Sequence, residues 1–170
     1  MNSLLVLAET KGGALRNVSL EAIAAARTIS PEGRITATLF GPEAKEYAST
    51  LIHHGADQVI VVPNEELKQY TTSAYRQALL ELINQLRPDV VLMGHTALGK
   101  DLSPRIAEHL QAGLVSDVTA VEKEGDQLIL TRPIYAGKAF EKKQINTPLK
   151  LITIRPNNIA PLEKDESRTG

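Results

Sequence analysis

The sequence has no cysteine and no tryptophan, and only two phenylalanines among its 170 residues. Lack of thiols excludes disulfides, a cysteine nucleophile and any cysteine-ligated metal. It also suits a reducing compartment, and with no signal or transit segment seen a cytoplasmic location is expected. Scarce aromatics leave few platforms on which single-stranded nucleic acid could stack, and a net charge of −1 draws neither a polyanion nor an anionic membrane surface. No nucleic-acid partner is expected. Long hydrophobic runs are also absent. The opening run Leu4–Ala8 is too short to span a bilayer and has no basic residue before it, so it reads as a buried strand and no membrane insertion is expected. Neither G-x-G-x-x-G nor G-x-S-x-G occurs, and His53, His54, His95 and His109 have no H-x-x-x-H spacing. Those absences argue against a dinucleotide fingerprint, a nucleophile elbow and a histidine metal site, and no catalytic residue is expected.

What is present is an ordinary globular composition, 42% apolar and 23% charged, in a chain long enough for one domain with a real core. Four short apolar runs read as strands buried on both faces: Leu4–Ala8, Ile35–Phe40, Gln58–Val62 and Asp89–Met93. Helical patterns fall between them. One spans about 19–29, with Asn17 or Ser19 placed to cap it. A second opens at Gly41-Pro42-Glu43 and ends at Gly55. The third has Tyr75, Ala78, Leu79, Leu82, Ile83 and Leu86 on one face, and Pro88 then forces extension. A fourth runs from about Asp101 to Leu110, with Pro104 near its start and Gly113 near its end. Strands alternating with helices at this spacing predict an α/β fold with a mainly parallel sheet. Beyond Gly113 the texture changes. Segments 117–121, 127–133 and 138–145 predict an antiparallel hairpin or meander added to the sheet, followed by a last strand at 149–154. Residues 158–170 are polar and read as a linker or tail after a domain spanning 1–157.

Two glycine-bearing turns follow predicted strands. Gly94-His95-Thr96-Ala97-Leu98-Gly99-Lys100-Asp101 nearly fits G-x-x-x-x-G-K-[ST], but Asp101 stands where a hydroxyl is needed, and its carboxylate would repel phosphate. The bland reading is a tight strand-to-helix turn with Asp101 helping to cap the helix. Thr96, Gly99 and Lys100 are the residues a degenerate phosphate turn would use. Lys11-Gly12-Gly13 is a weaker candidate for phosphate approach and reads first as a flexible loop. Arg132, Tyr135 and Lys138 lie on the hairpin around Tyr135-Ala136-Gly137. They are partner-docking candidates, because Arg and Tyr are favoured interface anchors; the competing reading is an ordinary basic surface.

Taken in order, the motifs resemble those of a known family. They are Leu5-Val6-Leu7-Ala8-Glu9, Gly55-Ala56-Asp57-Gln58-Val59, Arg87-Pro88-Asp89-Val90-Val91-Leu92-Met93-Gly94, and Thr96-Ala97-Leu98-Gly99-Lys100-Asp101-Leu102-Ser103-Pro104-Arg105. Then come Gly113-Leu114-Val115-Ser116-Asp117-Val118, Arg132-Pro133-Ile134-Tyr135-Ala136-Gly137-Lys138-Ala139 and Ile154-Arg155-Pro156-Asn157. Over about residues 3–157 the series is similar to the amino-terminal half of the electron transfer flavoprotein alpha subunit. The resemblance implies a three-layer Rossmann-like domain, adenine nucleotide hydrolase-like. It implies a beta-subunit partner, and an intact heterodimer that carries electrons on FAD from dehydrogenases to a downstream acceptor. FAD is held chiefly by a carboxyl-terminal domain absent from this sequence, so no cofactor is expected within these residues. The chain by itself is expected to be redox-inactive scaffold and interface, not an enzyme. The alternative is a stand-alone adenine-nucleotide-binding module resembling the universal stress proteins.

Overall fold

A computed structural model describes residues 1–170. Six strands form one parallel sheet: β1 (Ser3–Leu7), β4 (Arg34–Phe40), β5 (Gln58–Val62), β6 (Val90–Gly94), β7 (Gly113–Val118) and β11 (Lys150–Ile154), in the order β5-β4-β1-β6-β11-β7. Side-chain alternation along these strands divides the core in two. Leu4, Val6, Ala37, Leu92 and Ile152 face one side with α1 (Asn17–Ile29) and α2 (Ala48–His53). Leu5, Leu7, Val91, Met93 and Leu151 face the other with α3 (Thr72–Leu86) and α4 (Ala97–Leu110). α1 lies close to the sheet because its inner face is nearly all small: Ala22, Ala25 and Ala26 are fully buried beside Ile23 and Ile29. The predicted face of α3 is the buried one, with Tyr75, Leu79, Leu82 and Ile83 inside. Full burial of one such leucine contributes roughly 1.5–3 kcal/mol.

The remaining strands lie outside this sheet. β2 (Thr10–Lys11) and β3 (Ala14–Leu15) form a small hairpin after β1. β8 (Ala120–Glu124), β9 (Gln127–Ile134) and β10 (Ala139–Lys143) form a separate antiparallel sheet in the order β10-β9-β8. The predicted meander therefore exists, but it does not extend the parallel sheet. Leu128 and Leu130 of β9 enter the α1-side core, so the meander covers the flank of the sheet that α1 and α2 leave open. The chain passes from one sheet to the other at Asp117, a non-glycine residue with φ +64.

Several expected boundaries shift, each for a local reason. α4 begins at Ala97, not Asp101, because Thr96 is its cap: its side chain accepts from the Gly99 N–H at 3.3 Å. Pro104 consequently falls in the second turn and leaves the Lys100 carbonyl without its helical donor. Gly113 does not end that helix. Gln111 does, at φ +52, and Gly113 opens β7, a strand whose first residues were not anticipated. Neither Asn17 nor Ser19 caps α1; the helix starts at Asn17 itself, and Arg16, in the cap position, makes no side-chain capping hydrogen bond. The predicted second helix splits into a one-turn 3-10 segment, Ala44–Tyr47, and the short α2. Residues 158–170 have no regular structure, yet Arg168 donates to the carbonyls of Ile52, Gly55 and Ala56 and to Asp57.

Candidate functional site

In open α/β sheets, ligands bind outside the carboxyl ends of the strands where the strand order reverses. Here that point lies between β1 and β6, whose neighbours run off in opposite directions. Glu9 and Thr96 each lie two residues beyond the ends of these strands. The Thr96 hydroxyl donates to the Glu9 carboxylate at 2.6 Å and, 5% exposed, accepts from the Gly99 N–H. Glu9 is held from behind: its N–H donates to Ser19 Oγ at 2.9 Å. Burial raises the Glu9 carboxyl pKa, opposed by the Thr96 hydrogen bond and by Arg16 and Lys11. A carboxyl group of the protein itself thus bonds the cap residue of α4, beside a helix end that would otherwise suit an anion. Gly99 packs against the Gly94 carbonyl so closely that any Cβ would collide with it. Its role is close approach of helix to strand. Lys100 is exposed and forms no ion pair.

Asp101 does not cap α4. It lies one turn inside, where its carboxylate accepts from the Tyr70 hydroxyl at 2.6 Å and the Thr72 hydroxyl at 2.7 Å and pairs with Arg105 at 3.3 Å. Those two hydroxyls, then Arg105, lower its pKa. Burial and then Asp101 push the Tyr70 phenol up to about 12. The residue that spoils the phosphate pattern is therefore a clasp between α4 and the start of α3.

On the same edge of the sheet, at the end of β4, lies a concavity of about 240 Å³ bounded by the β2–β3 hairpin, Phe40–Ala44, Tyr47 and Lys68. The Tyr47 hydroxyl donates to the Gly13 carbonyl at 2.7 Å and ties the hairpin tip across it. Gly12 and Gly13 both take positive φ, which accounts for the Gly-Gly pair as a tight hairpin turn. No three His, Cys, Asp or Glu side chains converge as metal ligands.

The three docking candidates separate in the structure. Arg132 is turned inward: it donates to the Ser116 carbonyl at 2.9 Å and to Glu141 at 2.8 Å, and so ties β9 to β7. Tyr135 and Lys138 are exposed on the β9–β10 turn, where Tyr135, Ala136 and Gly137 all have positive φ. Tyr135 is 78% exposed, and Phe140 on β10, not anticipated from sequence, is 64% exposed. Phe140 lies across from Pro133 on a strand whose outer edge has no neighbour. Its only sequence signal was an aromatic residue two places beyond Lys138 in a chain with one other phenylalanine.

The family described as Electron transfer flavoprotein domain matches residues 4–170. The electron transfer flavoprotein subunit alpha of Bacillus subtilis (strain 168) is 49% identical over 167 residues, covering 98% of this chain and 51% of that protein. The subunit alpha of Thermoanaerobacterium thermosaccharolyticum is 36% identical, with 97% of this chain and 51% of that protein covered. Protein FixB of Clostridium saccharobutylicum is 39% identical over 136 residues, covering 78% of this chain and 40% of that protein. The chain spans about half the length of the relatives it matches. With a match over nearly its whole length, this chain belongs to the electron transfer flavoprotein family.

Proposed function

We propose that these residues are the amino-terminal scaffold domain of an electron transfer flavoprotein alpha subunit, and that they dock a beta subunit through the meander. The intact heterodimer carries electrons on FAD from dehydrogenases to a downstream acceptor in the cytoplasm. The flavin supplies that redox chemistry, and electron transfer through it asks for no protein nucleophile, acid or base. The observation that carries this reading is that two alpha subunits match almost all of this chain with only half of their own length.

The residues at the carboxyl edge do not fit a flavin dinucleotide. The Glu9 carboxyl group, bonded to the cap residue Thr96, puts an acidic side chain beside the α4 N-terminus that a pyrophosphate would need. The neighbouring concavity, about 240 Å³, is smaller than the roughly 300–1,000 Å³ of drug-sized ligand sites. The same obstruction disfavours the stand-alone adenine-nucleotide reading. Docking is supported instead by Tyr135 and Phe140, aromatic side chains exposed a few residues apart beside the open edge of β10, with Lys138 between them. Titration of the purified chain with FAD and with AMP, followed by visible absorption and calorimetry, tests this division of labour. No binding in the micromolar range is expected; stoichiometric flavin or nucleotide would overturn it.

A further inference from the structure

β7 and β11 lose register between Ile152 and Ile154, where Ser116 and Asp117 together oppose Thr153. This is a bulge, and it aims the chain from the parallel sheet into the meander. Three side chains hold it. Arg132 donates to the Ser116 carbonyl, Arg155 donates to the Asp117 carboxylate at 2.9 Å, and Thr153 Oγ1 accepts from the Asp117 N–H at 2.9 Å. Thr153 is fully buried, so its own hydroxyl proton needs an acceptor. His95 Nδ1, 2.9 Å away, is the acceptor at hand. That arrangement places the imidazole proton on Nε2, which faces Asp117 Oδ1 at 3.9 Å.

We infer that His95, Thr153 and Asp117 form a proton-operated latch on the bend between the two sheets. With His95 neutral, the Thr153 hydroxyl donates to Nδ1 and the bulge is held as described. A proton on Nδ1 removes that acceptor and strands the buried hydroxyl proton. The imidazolium also competes with Arg155 for Asp117. The charged groups facing the ring are Asp117 from β7, Lys100 from α4, Arg155 beyond β11 and Arg132 from β9, the last neutralised by Glu141 of β10. Burial, with the three cations, outweighs Asp117 and lowers the His95 pKa, which keeps the latch closed near neutrality.

The test is nuclear magnetic resonance on the 170-residue chain. Long-range ¹H–¹⁵N correlation at about pH 8 is expected to show His95 with its proton on Nε2; an Nδ1–H tautomer overturns the latch. Amide exchange, corrected for the intrinsic pH dependence, is then followed as pH falls through the His95 midpoint. Protection of Asp117, Thr119 and Arg155 is expected to drop about tenfold, the equivalent of one hydrogen bond. The Ala8 amide, bonded to the Thr38 carbonyl in the sheet centre, is expected to hold. No drop, or an equal drop at Ala8, overturns the inference. In His95→Gln, which cannot protonate, the drop is expected to vanish; a drop as large as in the unsubstituted chain overturns it. If that variant fails to fold, the tautomer and the exchange of the unsubstituted chain decide.

Discussion

The Thr96 hydroxyl lies 2.6 Å from the Glu9 carboxylate, joining the ends of β1 and β6 where the strand order reverses. Glu9→Gln keeps an oxygen there for Thr96 and removes a charge that burial disfavours. Because the folded pKa of Glu9 is raised, its contribution to stability is fully present below 4.5, its unfolded value, and is lost as pH rises through the folded value. The variant is therefore expected to be as stable as the unsubstituted chain at neutral pH or more so, by up to about 1 kcal/mol, roughly 2–4 °C in Tm. Thermal unfolding at two pH values checks it; a large loss at pH 7 would mean that the carboxylate charge is itself needed.

Glu21 on α1 is a buried carboxylate, 1% exposed, and Oε1 accepts from the Asn157 N–H at 2.8 Å and the Ile159 N–H at 3.4 Å. It fixes the path of the chain leaving β11, where Asn157 takes φ +70. Glu21→Ala orphans those donors and is expected to cost about 2–3 kcal/mol, with Glu21→Gln losing less. Denaturant unfolding measures both; equal losses would show that the acceptor oxygen is not what matters.

Gly99→Ala places a methyl against the Gly94 carbonyl, which is backbone and cannot swing aside. Separation of α4 from β6 is expected to cost about 1–3 kcal/mol or more. A midpoint within about 0.5 kcal/mol of the unsubstituted chain, the range of an unremarkable surface change, would refute the packing role.

Asp57 is shared by Arg27 at 3.0 Å and Arg168 at 3.2 Å. Burial raises its pKa, but the Ile35 N–H and the two arginines outweigh that, so the net shift is downward. Stability from Asp57 is present above pH 3.8 and is lost as pH falls through the folded value. Arg168→Ala is expected to cost at most about 1 kcal/mol, since the pair is partly exposed, while opening residues 163–170 to proteolysis. Limited digestion followed by mass spectrometry reads this; unchanged cleavage would mean that the tail is held by other contacts.

How much of this was legible in sequence depended on whether the signal was local. The strands Leu4–Ala8 and Gln58–Val62 and the buried face of α3 announced themselves through apolar runs and helical spacing, and they fold within a residue or so of expectation. The start of α4 did not: Asp101 read as the cap, whereas the bond from the Gly99 N–H shows that Thr96 holds that place. Two partners of Asp101, Tyr70 and Thr72, are about thirty residues away, and nothing in the local pattern points there. The same holds for Glu9 with Thr96, and for the inward turn of Arg132 toward Ser116. Family resemblance survived these local errors because it rested on the order of many motifs rather than on any one of them.

Isothermal titration of this chain with an electron transfer flavoprotein beta subunit decides whether it is a scaffold that docks that subunit through the meander. Saturable one-to-one binding is expected. Tyr135→Ala and Phe140→Ser are each expected to weaken it by about 30-fold, the equivalent of about 2 kcal/mol for an interface anchor, without lowering Tm. No binding by the unsubstituted chain, or full affinity in the doubly substituted one, would overturn docking through the meander.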